Sequence, residues 1–71
     1  MTTGFAAKVD GKVSVRTVSE TEIAAMVNYL YIYRGCVVYN DWSDEEVTDK
    51  FEELRKEDEI VAVTILEGVL Q

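Results

Sequence analysis

Histidine and proline are absent from this 71-residue chain, cysteine and tryptophan occur once each, and glycine four times. Each scarcity removes a class of function. Without histidine there is no side chain that ordinarily titrates near neutrality, no usual base to activate a thiol, and no imidazole for a zinc site. With Cys36 alone no intramolecular disulfide can form, which fits a reducing compartment; the residue reads first as a small buried hydrophobe and only second as a reactive thiol. The missing proline, beside 48% hydrophobic residues, points away from a disordered linker and toward a packed domain. Long apolar runs are missing too. The longest, Ile60 to Leu66, falls far short of the ~20 residues needed to cross a bilayer, and no basic segment followed by an apolar core leads the chain. A soluble, unexported, cytoplasmic protein with no membrane association is expected. One domain over residues 1–71 suits the length, and a deep catalytic cleft does not.

Positive charge is also scarce, and its scarcity is local. The net charge is −7. Residues 1–40 carry Lys8, Lys12, Arg16 and Arg34 against Asp10, Glu20 and Glu22, a slight excess of base; residues 41–59 carry ten acids against Lys50, Arg55 and Lys56. Such a segment repels phosphate backbones and attracts basic protein surfaces, so a protein partner is expected and direct nucleic-acid binding is not.

The stretch GFAAKVDGKVSVRTV reads as a β-hairpin, two valine-containing runs flanking Asp10-Gly11, a dipeptide suited to turns at positive φ. A two-residue loop would leave neither sheet face fully apolar. A three-residue loop with Gly11 left-handed puts Phe5 and Ala7 beside Val13 and Val15, and is the loop expected. At Ser19 the period changes: SETE is a capping-box pattern, Val18 and Ile23 suit a hydrophobic staple, and Ile23, Met26, Val27 and Leu30 follow at helical spacing. Arg34 and Gly35 supply C-terminal signals, predicting a helix over about 20–34. The alternative, a hairpin in YLYIYRGCVVY about Arg34-Gly35, stays open; on either reading residues 36–39 look extended.

NDWSDEEVTDKFEELRKEDE, residues 40–59, repeats the capping grammar with Ser43 and Glu46, stapled by Trp42 and Val47. The spacing predicts a helix over 44–57. Val47, Phe51 and Leu54 form its apolar stripe, and Glu45, Asp49, Glu52 and Glu53 cluster opposite, with Lys56 the only cation centred among them. Asp44, Glu45 and Glu46 fall in the first turn, where the helix dipole favours acids. Glu46 to Lys50 and Glu52 to Lys56 are favourable i,i+4 pairs, but Glu45 to Asp49 and Asp49 to Glu53 repel, which stability alone would not select. IVAVTIL, residues 60–66, reads as a central strand pairing with the N-terminal hairpin, with Gly68 ending it.

The segment KVDGKVSVRTVSETEIAAMVNYL, residues 8–30, resembles short uncharacterised proteins carried by phages and prophages of proteobacteria. The match rests on Asp10, Gly11, Lys12, Arg16, Thr17, Ser19, Asn28, Tyr29 and Leu30, about a third of the chain. The resemblance implies a context, the bacterial cytoplasm during infection or lysogeny, and no activity. Residues 40–59 lie outside it.

No enzyme, metal or cofactor is expected. Nothing desolvates the helix carboxylates to tune a pKa. Asp41, Ser43, Glu45 and Glu52 fall at calcium-loop positions, but Glu46 stands where the loop needs glycine and the capping box would be lost. Tyr29, Tyr31, Tyr33, Tyr39 and Trp42 lie close in sequence, with Tyr29 and Tyr33 at i,i+4; core rim is their plainer role and an interface anchor the sharper one. The expected fold is α+β in the order β-β-α-(β)-α-β, a small antiparallel sheet of the hairpin plus the C-terminal strand packed against two helices. The leading functional expectation is a non-enzymatic interaction module binding a basic protein through Glu45, Asp49, Glu52, Glu53, Tyr29 and Tyr33. Two others stand beside it: a nucleic-acid mimic inhibiting a host DNA- or RNA-binding protein, and a homo-oligomeric structural accessory protein, a homodimer among the options, joined through the tyrosines or an open sheet edge.

Overall fold

The structure, a computed structural model, describes residues 2–65. It is α+β: β1 (Thr2–Val9), β2 (Lys12–Val13), a 3-10 turn (Val15–Thr17), α1 (Glu22–Arg34), α2 (Asp44–Leu54) and β3 (Glu59–Ile65). The sheet is antiparallel in the order β2-β1-β3. β1, not the C-terminal strand, is therefore central, and β3 is an edge. Its outward pairing side receives no helix-borne cover from α2, which packs on α1 and makes no close backbone approach to a strand.

The hairpin loop corrects the parity expectation. Lys8 pairs with Val13 and Val9 with Lys12, so the loop is the two residues Asp10 and Gly11, at φ 52° and 79°. Consecutive positive φ values are the requirement of a type I′ turn, whose twist matches the flanking strands. A three-residue loop is favoured only where a long second strand has two valines to bury. β2 lasts two residues instead, and Val13 and Val15 are exposed.

Beyond Val13 a side chain replaces the ladder. Thr17 is fully buried; its Oγ1 accepts the Ala7 amide at 2.7 Å and donates to the Ser14 carbonyl at 2.8 Å. Ser14 N–H donates to the Ala7 carbonyl, and Ser19 exchanges two 2.8 Å backbone bonds with Phe5. The first capping box accordingly does not form: Ser19 is held extended against β1, and the cap moves to Thr21, whose hydroxyl accepts from Ala24 N–H. A long-range pairing outcompetes a local cap because it makes two backbone hydrogen bonds at once.

α1 runs unbroken to Arg34, excluding the hairpin reading of 29–39. Gly35 at φ 62° is its left-handed stop, and the Gly35 and Cys36 amides both reach back to the Leu30 carbonyl, the latter at 2.9 Å. No strand forms at 36–39; Cys36 and Val38 pack on the core while Val37 and Tyr39 are exposed. α2 begins as expected, with both bonds of the Ser43–Glu46 capping box present. It stops at Leu54, three residues early, because Lys56 adopts φ 56°. Lys56 therefore leaves the helix, and the Glu52–Lys56 pair is replaced by Arg55 Nε to Glu52 at 3.0 Å. Gly68 lies outside the described residues.

The core joins Ala7 of β1 to Met26, Tyr29 and Leu30 of α1 and Val47 and Phe51 of α2. α1 is apolar almost all round because it is covered twice, by the sheet and by α2. Its buried positions are Ala25, Met26, Tyr29 and Leu30. The face is thus rotated from the expected 23-26-27-30 stripe, leaving Ile23 and Val27 half-buried.

Two substitutions test these joints. Thr17→Val keeps the shape but strands the buried Ala7 amide, so chemical denaturation should show a loss of about 2 kcal/mol, with Thr17→Ser retaining most of the stability. Lys56→Gly relieves a left-handed non-glycine residue and should raise stability by about 0.5–1 kcal/mol in the same measurement.

Candidate functional site

The four carboxylates named from sequence do share one surface. Glu45, Asp49, Glu52 and Glu53 are all exposed on α2, opposite its buried Val47 and Phe51. Glu52 is bonded by Arg55, and Glu53 by Lys50 Nζ at 3.4 Å. Lys50 thus serves Glu53 at i+3, while Glu46 spends its carboxylate on the cap. No ion pair reaches Glu45 or Asp49 among the described residues. Asp49 consequently sits one turn from Glu45 and one turn from Glu53 with no counter-charge of its own.

The tyrosines do not join that surface as expected. Tyr29 is 0% exposed, which corrects its place among the partner-contacting residues: no partner can touch it. Its ring meets Phe51 edge-on at 5.3 Å and stacks on Tyr33 at 5.6 Å. Tyr33 is part-exposed, but its hydroxyl is tied to Ser14 Oγ at 2.8 Å beside the hairpin. The freely exposed tyrosines are Tyr31 and Tyr39. Tyr39 lies at the entry to α2, its carbonyl accepting the Trp42 amide.

Tyr29 belongs instead to a polar clamp. Its hydroxyl donates to Asp58 Oδ2 at 2.5 Å and accepts from Arg34 Nε at 3.0 Å, while Arg34 Nη2 reaches the same carboxylate oxygen at 3.2 Å. Asp58 is buried and Arg34 is half-covered, so this ion pair is shielded in a way the α2 pairs are not. Arg55 closes the loop around it: its carbonyl accepts Asp58 N–H at 2.9 Å and its Nη1 donates to the Asp58 carbonyl at 2.9 Å. Burial first, and the Asp58 hydrogen bond second, push the Tyr29 hydroxyl above its ordinary pKa of 10.0, with Arg34 acting in the opposite sense.

Above the clamp lies an open cleft of about 470 Å³, lined by Asp10, Tyr33, Arg34, Lys56, Glu57 and Asp58. A neighbouring hollow of about 490 Å³ shares Asp10 and Tyr33 and adds Lys12, Val13 and Ser14. None of the four α2 carboxylates lines either one. The first cleft mixes acids with bases, and the Arg34 and Asp58 groups that line it are already bonded to each other and to Tyr29. Among the described residues no three ligating side chains gather as a metal site, and no helix is long and apolar enough to cross a membrane.

The sequence reading missed Arg34, Asp58 and Thr17 as partners. Arg34 and Asp58 are separated by all of α2 and its flanking loops, and Asp58 looks like any other acid in its run. No signal in the sequence set Asp58 apart, since Glu59, nearer the apolar run of β3, is exposed. Comparison with family models, with curated proteins and with solved structures finds no match.

The clamp has a pH signature. Because the folded pKa of Tyr29 is raised, the fold favours the protonated hydroxyl; this contribution is complete below pH 10.0 and is lost as pH rises through the folded value. Ultraviolet titration should show one phenolate step displaced to the alkaline side and coinciding with loss of stability. Tyr29→Phe should remove that step and cost about 2 kcal/mol at neutral pH, since the lost bond is to a charged group.

Proposed function

We propose that this chain is a small, non-enzymatic protein-interaction module that docks the outward face of α2 on a basic protein surface. It is phage- or prophage-borne in this reading, and works in the cytoplasm of a bacterial host, the context implied by the resemblance of residues 8–30. The observation that carries the proposal is the row Glu45, Asp49, Glu53. All three are exposed at successive helical turns, and only Glu53 has a cation at hand. Helix stability accounts for Asp44, Glu45 and Glu46 through the dipole and the cap. It does not account for Asp49, which repels neighbours on both sides by a few tenths of a kcal/mol each.

A partner cation between these carboxylates turns that repulsion into attraction, so the cost borne by the free helix becomes affinity in the complex. Tyr39, at the entry to α2, supplies the aromatic anchor that Tyr29 cannot, being exposed and amphipathic. Charge of one sign on a rigid, capped helix also speeds encounter with a basic surface.

The test is capture from bacterial lysate followed by titration with the purified partner. A basic protein should bind, with affinity falling as salt rises, and Glu45→Lys with Asp49→Lys should weaken binding at least tenfold while leaving the fold intact. Binding indifferent to salt and to both reversals would overturn the proposal. Competition by DNA or RNA for the captured partner would narrow the reading to nucleic-acid mimicry.

A further inference from the structure

We infer that β3 pairs edge to edge with β3 of a second copy of this chain, antiparallel, to give one continuous six-stranded sheet with the helices of both copies on the same side. The surface involved is separate from the acidic face of α2.

The register of the sheet decides which backbone groups are free. In an antiparallel ladder, alternate residues direct their N–H and C=O to opposite neighbours. Phe5 and Ala7 of β1 direct theirs toward Ser19, Thr17 and Ser14. Gly4 and Ala6 therefore bond toward β3, where their partners are Val63 and Val61. It follows that Ile60, Ala62 and Thr64 turn their amides and carbonyls away from β1. None of these has a hydrogen-bond partner among the described residues.

The two edges of the sheet are treated differently. On the β2 side the ladder is closed off by a two-residue strand, the Thr17 hydroxyl and the Ser19 bridge. On the β3 side, among the described residues, the ladder is capped by no strand, side chain or bridge. Glu59–Ile65 contains no lysine or proline, and its pairing with β1 is continuous, without a bulge. A long, regular, β-branched edge of this kind is a template for another strand.

A second copy fits that template better than an arbitrary strand. Antiparallel pairing centred on Ala62 sets Ile60 opposite the second copy's Thr64 and Val61 opposite its Val63, and satisfies all the outward groups with about six N–H···O bonds. Ala62 is small and exposed, so two copies can meet at the axis. Glu59 is the only charge on the strand. In this register it faces the second copy's Ile65, and the two Glu59 residues lie about 20 Å apart, some two Debye lengths at physiological salt. For a chain of net charge −7, the described residues of β3 thus bring no two like charges into close contact in this register. An edge this short buries less than about 1,200 Å², the low end for specific association, so the dimer is concentration-dependent.

Sedimentation equilibrium of the intact chain from about 10 μM to about 1 mM, at low and high salt, tests this. The mass should rise from monomer toward dimer, and more readily at high salt, which screens two anionic copies. That salt response is opposite in sign to the one expected for the α2 face, so either proposal can fail alone. Ala62→Lys sets two cations face to face at the axis, and Thr64→Pro deletes an outward amide that β1 does not use. Each should raise the dissociation constant at least tenfold with the circular-dichroism melt unchanged. Should a variant unfold, amide exchange in the wild-type chain decides, with Ile60, Ala62 and Thr64 gaining protection as concentration rises. A chain monomeric at about 1 mM in high salt, a dimer unaffected by both variants, or concentration-independent exchange at those amides would overturn the inference.

Discussion

The Tyr29 side chain is the constraint on which the rest of the arrangement turns. Its ring lies between Phe51 of α2 and Tyr33 of its own helix, and its hydroxyl binds Asp58 at the joint into β3 and Arg34 at the end of α1. One residue thereby fixes the relative positions of both helices and the start of an edge strand. A ring this large can be fully buried only if its polar tip is satisfied, and Asp58 can be buried only if its charge is matched. Each condition is met by the other. Among the described residues no buried side-chain polar atom is left without a partner.

The acidic run therefore has two parts with different physics. Asp58, inside, is held by a shielded cation and a hydroxyl, in surroundings where electrostatic interactions are strong and an unmatched charge would be costly. Glu45, Asp49, Glu52 and Glu53, outside, sit in high dielectric, where each pair is worth tenths of a kcal/mol and salt erodes it. The first part stabilises a joint. The second has little to do with stability, which is why its excess charge is the feature that invites a functional reading.

The sheet shows a similar division of labour. One side of β1 is completed by side-chain and bridge contacts from residues 14–19, which divert the chain out of the second strand and into α1. The other side is a plain ladder to β3, the last strand among the described residues. Because α2 packs on α1 and not over β3, the acidic helix and the β3 edge are distinct surfaces, and association at one leaves the other available.

What the sequence determined by itself were the elements whose causes are local: a turn at Asp10-Gly11, the Ser43–Glu46 box and the α2 stripe, the stop at Gly35, and an α+β order with a C-terminal strand beside the hairpin. These depend on φ preferences, caps and periodicity within a few residues, and they are written in a few residues. Tertiary structure decided the hairpin register, the move of the first cap from Ser19 to Thr21, the early end of α2 at Lys56, the central place of β1, and the burial of Tyr29. The register, the cap and the burial turned on partners far along the chain: Ala7 for Thr17, Phe5 for Ser19, Asp58 for Tyr29. Spacing along one segment cannot encode such pairings, because a buried polar group is satisfied by whatever the fold brings to it.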